Sequence, residues 1–161
     1  MPAASAAEVP IRCRAVAVAV LSATGAGAQL LLVRRGQGAY IGEWSMITGR
    51  MEAGETAWQA AVRETREEAG LALRSLYSAG FCDTFYSPHA ESIEVAPVFV
   101  GVARDGAVVL NEENTDFRWA SVTEAAELVP FHGHRVALAA VERDFVRRTP
   151  ADWRRIPQFR G

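Results

Sequence analysis

Gly49-Arg-Met-Glu-Ala-Gly-Glu-Thr-Ala-Trp-Gln-Ala-Ala-Val-Arg-Glu-Thr-Arg-Glu-Glu-Ala-Gly-Leu71 is a glycine-bounded loop running into one helix that carries more carboxylates than a surface helix needs. The turn pair Ala53-Gly54 sets the helix to begin near Thr56, and Gly70 suits the left-handed position that ends one. At about 100° per residue, Ala57, Ala60, Ala61, Glu64, Glu67, Glu68 and Leu71 fall in one stripe, widened by Trp58, Val62, Thr65 and Ala69. A stripe that begins with three alanines can lie close against a sheet, which holds Glu64, Glu67 and Glu68 at the edge of that contact. Like charges so placed raise one another's pKa unless a cation neutralises them. A hard divalent ion with oxygen ligands, Mg²⁺ or Mn²⁺, is the simplest one. Taken by itself the pattern also suits a solvated helix face laced with Glu–Arg pairs.

A family resemblance decides between these readings. The string resembles the Nudix box, G-x5-E-x7-R-E-U-x-E-E-x-G-U, with Gly49, Glu55, Arg63, Glu64, Glu67, Glu68, Gly70 and Leu71 in place. One position departs: Thr65 stands where the pattern has an apolar residue, and its hydroxyl can bond back to a carbonyl in the preceding turn. The resemblance implies that Glu64, Glu67 and Glu68 hold Mg²⁺, with Mn²⁺ as a substitute, helped by the backbone carbonyl of Gly49. It implies also that Glu55 and Arg63 brace loop against helix.

Composition bounds the rest. A chain of 161 residues, 50% hydrophobic and 22% charged, with mean hydropathy +0.03, describes one soluble domain and not a membrane or disordered chain. The formal charge of −2 argues against general nucleic-acid affinity. All 17 basic residues are arginine, so any cationic contact to phosphate comes from a planar guanidinium. Cys13 and Cys82 lie in segments that read as buried strands, and are expected to be reduced core residues of a cytoplasmic protein. The N-terminal run Ala-Val-Ala-Val-Ala-Val-Leu imitates an export signal, but strict alternation is what a strand with one tightly packed face shows.

Along the chain, residues 1–9 read as a mobile tail, 10–149 as the catalytic domain and 150–161 as a C-terminal tail whose arginines and Trp153 suit a docking or homodimer arm. Strands are expected over 11–22, 29–35, 42–49, 71–86, 91–104 and at Phe117-Arg-Trp-Ala120. Ser121 caps a short helix ending before Pro130, and a second helix, 132–147, packs Val136, Leu138, Ala139, Ala140 and Phe145 over the sheet. Many Nudix enzymes carry a substrate-facing arginine where Arg34 and Arg35 stand; neighbours on a strand face opposite ways, so one of the two is expected to reach phosphate. Trp44 either packs under the sheet or stacks on a base, and Phe85 and Tyr86 are further stacking candidates. Glu113, shortly before Phe117-Arg118-Trp119, is similar to the loop carboxylate that such enzymes use as metal ligand or general base.

The resemblance thus implies the Nudix fold, an α/β/α sandwich around a mixed β-sheet. The reaction it implies is Mg²⁺-dependent cleavage of a diphosphate linkage, with Glu113, or failing it Glu64, as the base. The run from Trp44 to Ala57 looks closest to the branch that includes dATP and dihydroneopterin-triphosphate pyrophosphatases, which release pyrophosphate and a monophosphate from a small nucleotide. ADP-ribose, suggested by Pro88 downstream of the box, is the alternative substrate. A nucleotide sensor without catalysis is the alternative class, against which the intact glutamate set argues.

Overall fold

The computed structural model describes residues 7–161; most of the expected N-terminal tail, residues 1–6, lies outside the described residues. The elements are β1 (Ile11–Arg12), β2 (Ala15–Leu21), β3 (Gln29–Arg35), β4 (Trp44–Ser45), β5 (Ile47–Arg50), α1 (Ala57–Ala69), β6 (Leu73–Ser87), β7 (Ser92–Ala103), β8 (Asn114–Ser121), α2 (Val122–Leu128) and α3 (His132–Val141). All strands join one sheet, with β2 at its centre. It runs parallel to β7, Ala17 facing Val98 and Leu21 facing Val102, and antiparallel to β5. β3 takes β8 and β4, and β7 takes β6 and β1. The sheet is therefore mixed.

The Ala/Val run makes β2 the middle of the molecule. Val16, Val18 and Val20 point to a core shared with α1, while Ala17, Ala19 and Leu21 point to one shared with α2 and α3. Both faces are buried, because helices cover the sheet on each side. Each of those valines is fully buried and contributes about 1.5–3 kcal/mol by leaving water. An α/β/α sandwich results.

Several local expectations are corrected. The first strand breaks at Cys13 and Arg14: β1 pairs only with β7, and β2 also takes β5. Both cysteines are exposed and free. Cys13 lies in that break, and Cys82 follows a register shift around Gly80, which has φ of 87° and upsets the strand's alternation. Val136 and Ala139 face solvent, because the buried stripe of α3 is His134, Ala137, Leu138 and Val141. A π-helical turn, Glu142–Val146, continues that stripe to Phe145, whose ring meets Tyr77 edge-on at 5.4 Å. Residues 150–161 lie along the chain's own sheet: the Ile156 N–H donates to the Leu76 carbonyl (3.0 Å), and Phe159 packs against Trp58.

Candidate active site

Helix α1 starts and stops where its caps dictate. The Thr56 hydroxyl accepts the Gln59 N–H while the Gln59 side chain accepts the Thr56 N–H, and Gly70 closes the helix with φ of 69°. Ala60 and Ala61 are fully buried, so the helix axis lies close to β2 and β5. Thr65 meets the cost of its buried hydroxyl by donating to the Ala61 carbonyl at 2.8 Å.

That close approach brings Glu64 onto the backbone of Gly49. A methyl group on Gly49 would sit 1.9 Å from the Glu64 carboxyl carbon, so no other residue can stand there without moving the carboxylate. Arg63 holds the neighbourhood together. Its Nε and Nη2 donate to the two oxygens of Glu55 (2.8 and 3.0 Å), Nη2 also to the Arg50 carbonyl (2.8 Å), and Nη1 to Glu64 (2.8 Å) and Glu67 (3.0 Å). The bond from Arg63 holds Glu55 below the usual carboxylate range, and the bond to Glu55 in turn raises the guanidinium. Glu55 and Arg63 thus tie the box loop to the helix.

Glu64 and Glu68 are buried and Glu67 is exposed. Burial pushes the Glu64 carboxyl up, with the charges of Glu67 and Glu113 adding to it and Arg63 opposing. Burial pushes Glu68 further, to about 8, against a 2.8 Å hydrogen bond from the Asn114 amide. Among the described residues no three such groups converge on one point, since Arg63 draws Glu64 and Glu67 while Asn114 draws Glu68. Their chemistry nonetheless fits a hard divalent cation. All the donors are oxygens, Glu64 shares its one guanidinium with Glu55 and Glu67 while Glu68 has only a neutral amide, and the Gly49 backbone is cradled against Glu64.

The site opens into a cleft of about 770 Å³, within the usual range for a small-molecule site. Arg35, Thr48, Gly49, Glu64, Glu67 and Glu113 line one part. Arg35, Thr48 and Glu113 also line an adjoining cavity that reaches Glu68 and Asn114. A bulge puts Arg35 there: between Arg34 and Arg35 the register against β8 shifts from Asp116 to Asn114. The Gly36 N–H then donates to the Glu113 carbonyl at 2.8 Å, and an Asn111 side chain accepts the Glu113 N–H at 3.1 Å. Glu113 thereby stands beside Arg35.

Arg34 and Trp44, expected near substrate, lie outside the cleft. The Arg34 Nε donates to the Gly42 carbonyl (2.8 Å), its guanidinium lies 6.0 Å from the Trp44 ring, and Trp44 packs on the α3-side core. The rest of the cleft is aromatic, with Tyr40, Phe85, Tyr86 and Phe131 beside Asp83 and His134. Tyr40, Asp83, Phe131 and Asn114 were not legible as site residues. Tyr40 has one local signal, its place between Gly38 and Gly42 in a loop that gives it a positive φ of 63°.

The sandwich thus sets buried carboxylates against a glycine backbone, in one cleft with an arginine and a loop glutamate. The NUDIX domain profile matches residues 12–140, and the chain belongs to the NUDIX family. It is 37% identical over 131 residues to an octanoyltransferase of Myxococcus xanthus, covering 80% of this chain but only 36% of that protein. It is 30% identical over 96 residues to nucleoside triphosphatase NudI of Klebsiella pneumoniae, covering 55% of this chain and 68% of that one. The dihydroneopterin triphosphate pyrophosphohydrolase of E. coli superposes with a TM-score of 0.63 at 22% identity, over 84% of this chain and 97% of that one, a likeness of fold. No helix among the described residues is long and apolar enough to cross a membrane.

Proposed function

We propose that the chain cleaves a diphosphate linkage in a nucleoside-triphosphate-like small molecule, releasing pyrophosphate and a monophosphate, with Mg²⁺ as cofactor and Mn²⁺ as a substitute. The observation that carries this reading is the packing of Glu64 on Gly49 in a cleft that Arg35 and Glu113 also line. Glu64, Glu67, Glu68 and the Gly49 carbonyl are the groups that would hold the metal. When bound, it neutralises phosphate oxygens and lowers the pKa of a water.

The chain's own groups do the rest. Arg35 pairs with phosphate oxygens through its planar fork. Glu113, exposed on its loop, accepts the proton of the attacking water, and Glu64 is the base if Glu113 does not serve. Arg63 and Glu55 tie the box loop to the helix that carries the carboxylates, and Glu64 and Glu67 would turn from Arg63 toward the metal when it binds. The triphosphate substrate is supported by the run Trp44 to Ala57 and by the activity printed in the name of the Klebsiella relative. Two free exposed thiols suit a reducing, cytoplasmic setting.

The test is incubation of purified protein with Mg²⁺ and the four deoxynucleoside triphosphates, dihydroneopterin triphosphate or ADP-ribose, with products separated by anion exchange. Pyrophosphate with a nucleoside monophosphate is the expected result. Turnover of ADP-ribose alone replaces the substrate class, and tight binding without turnover by any compound replaces the enzyme with a sensor.

A further inference from the structure

The aromatic part of the cleft holds a polar pair that the proposed chemistry does not use. Asp83 on β6 and His134 in the first turn of α3 are each 7% exposed in their side chains, and Asp83 Oδ2 lies 3.9 Å from His134 Nε2, too far for a hydrogen bond. The other polar atom of each, Asp83 Oδ1 and His134 Nδ1, is buried with no partner. Native proteins leave few such atoms unsatisfied, and each one that is left calls for a physical explanation. The backbone is shaped around the pair: a methyl on Gly133 would stand 1.7 Å from Asp83 Oδ1, so only glycine lets the carboxyl lie against α3.

Aromatic rings surround this pair. Tyr40 meets Phe131 edge-on at 5.2 Å, and Phe131 meets His134 edge-on at 5.2 Å. Across from them Phe85 and Tyr86 are 49% and 55% exposed on β6. Large rings left in water around a cleft, with two buried polar groups at its floor, match what a flat heteroaromatic ligand needs: faces to stack on and an edge to be read.

We propose that Asp83 and His134 are the base-reading pair of this cleft: a nucleobase lies among Tyr40, Phe131, Phe85 and Tyr86, and its hydrogen-bonding edge bridges the Asp83 carboxyl and the His134 imidazole. This rests on the nucleotide reading of the site and deepens it by naming what selects the base. Burial holds the imidazole down to about 4, so at neutral pH it is uncharged and offers one N–H and one bare nitrogen. The pair therefore suits an edge that sets an amino or imino N–H beside an acceptor, and a phosphorylated sugar without a base leaves it unfilled.

The experiment compares wild-type protein with Asp83→Asn and His134→Gln. It measures kcat and KM for the four deoxynucleoside triphosphates and for ATP and GTP, with calorimetric binding of their non-hydrolysable α,β-methylene analogues and of inorganic triphosphate. The expected result is a change of about tenfold in the ratio of KM values between bases, the worth of one neutral hydrogen bond, with inorganic triphosphate bound as in wild type. A uniform change across all bases, or a change that follows the presence of the 2′-hydroxyl, overturns the assignment, the latter giving the pair to the sugar. If the wild-type protein hydrolyses no nucleotide, the proposed reaction falls, and base-selective binding of the analogues still decides the role of Asp83 and His134. A thermal melt shows whether a variant is folded, and either variant suffices for the comparison.

Discussion

Gly49 and Glu64 are the contact on which the proposed chemistry turns. The carboxyl carbon of Glu64 occupies the space where any other residue at position 49 would place its first side-chain atom. Gly49→Ala is therefore expected to push the carboxylate away at a stability cost of about 1–3 kcal/mol. A displacement of about 1 Å at a reacting centre lowers kcat about 100-fold. Urea unfolding and steady-state kinetics with Mg²⁺ check the two separately, and a fully active Gly49→Ala enzyme is incompatible with Glu64 as a metal ligand. Arg63 is the second residue of consequence, since one guanidinium serves Glu55, Glu64, Glu67 and the Arg50 carbonyl at once. A lysine in its place has one point charge and no fork for these partners.

Helix α1 is the element that converts sequence spacing into a site. Its ends are set by local caps, and its distance from the sheet is set by Ala60 and Ala61, which have no exposed surface. Ala60→Leu adds bulk where there is no room, and is expected to destabilise the fold by about 1–3 kcal/mol while lifting the helix from β5. The apparent Mg²⁺ affinity should fall with it, because Glu64 and Glu68 ride on the same helix. An Ala60→Leu protein that loses stability but keeps wild-type Mg²⁺ dependence of turnover separates the packing from the ligand geometry. Strand β3 shows the complementary device. Its bulge against β8 aims Arg35 at the cleft and leaves Arg34 on the outer side with Trp44.

Across the whole molecule the cleft is built where β3, β5, β6, α1 and α3 meet, so it draws on both faces of the sandwich. Burying polar groups there ties the stability of the fold to pH. His134 has its pKa lowered to about 4 from 6.5, first by burial and then by the charge of Arg35. As pH falls from 6.5 the unfolded chain takes up this proton before the folded one, so His134 lowers stability progressively down to about pH 4. Asp83, raised by burial, acts with the opposite sign at the acid end of that window, because there the folded chain holds the extra proton. The melting temperature of His134→Gln should therefore fall less than that of wild type between about pH 7 and 4.5. Equal slopes for the two proteins mean that the imidazole is hydrated in solution.

Much of this was legible in the order of residues. The extent of α1, its caps, the glutamate stripe, the back-bonded Thr65 and the approximate extents of the longer strands follow from spacings of three, four and two residues and from local turn chemistry. What only the tertiary structure decided are relations between distant segments. Alternation says that Arg34 and Arg35 face opposite ways, but pairing with β8 says which one faces the cleft. Pairing also left both cysteines in water, and brought Asn114 to Glu68 and Asp83 to His134. A local pattern carries period and phase along one element. The face that looks inward, and the partner that waits there, depend on register against another strand and on which helix closes over the sheet.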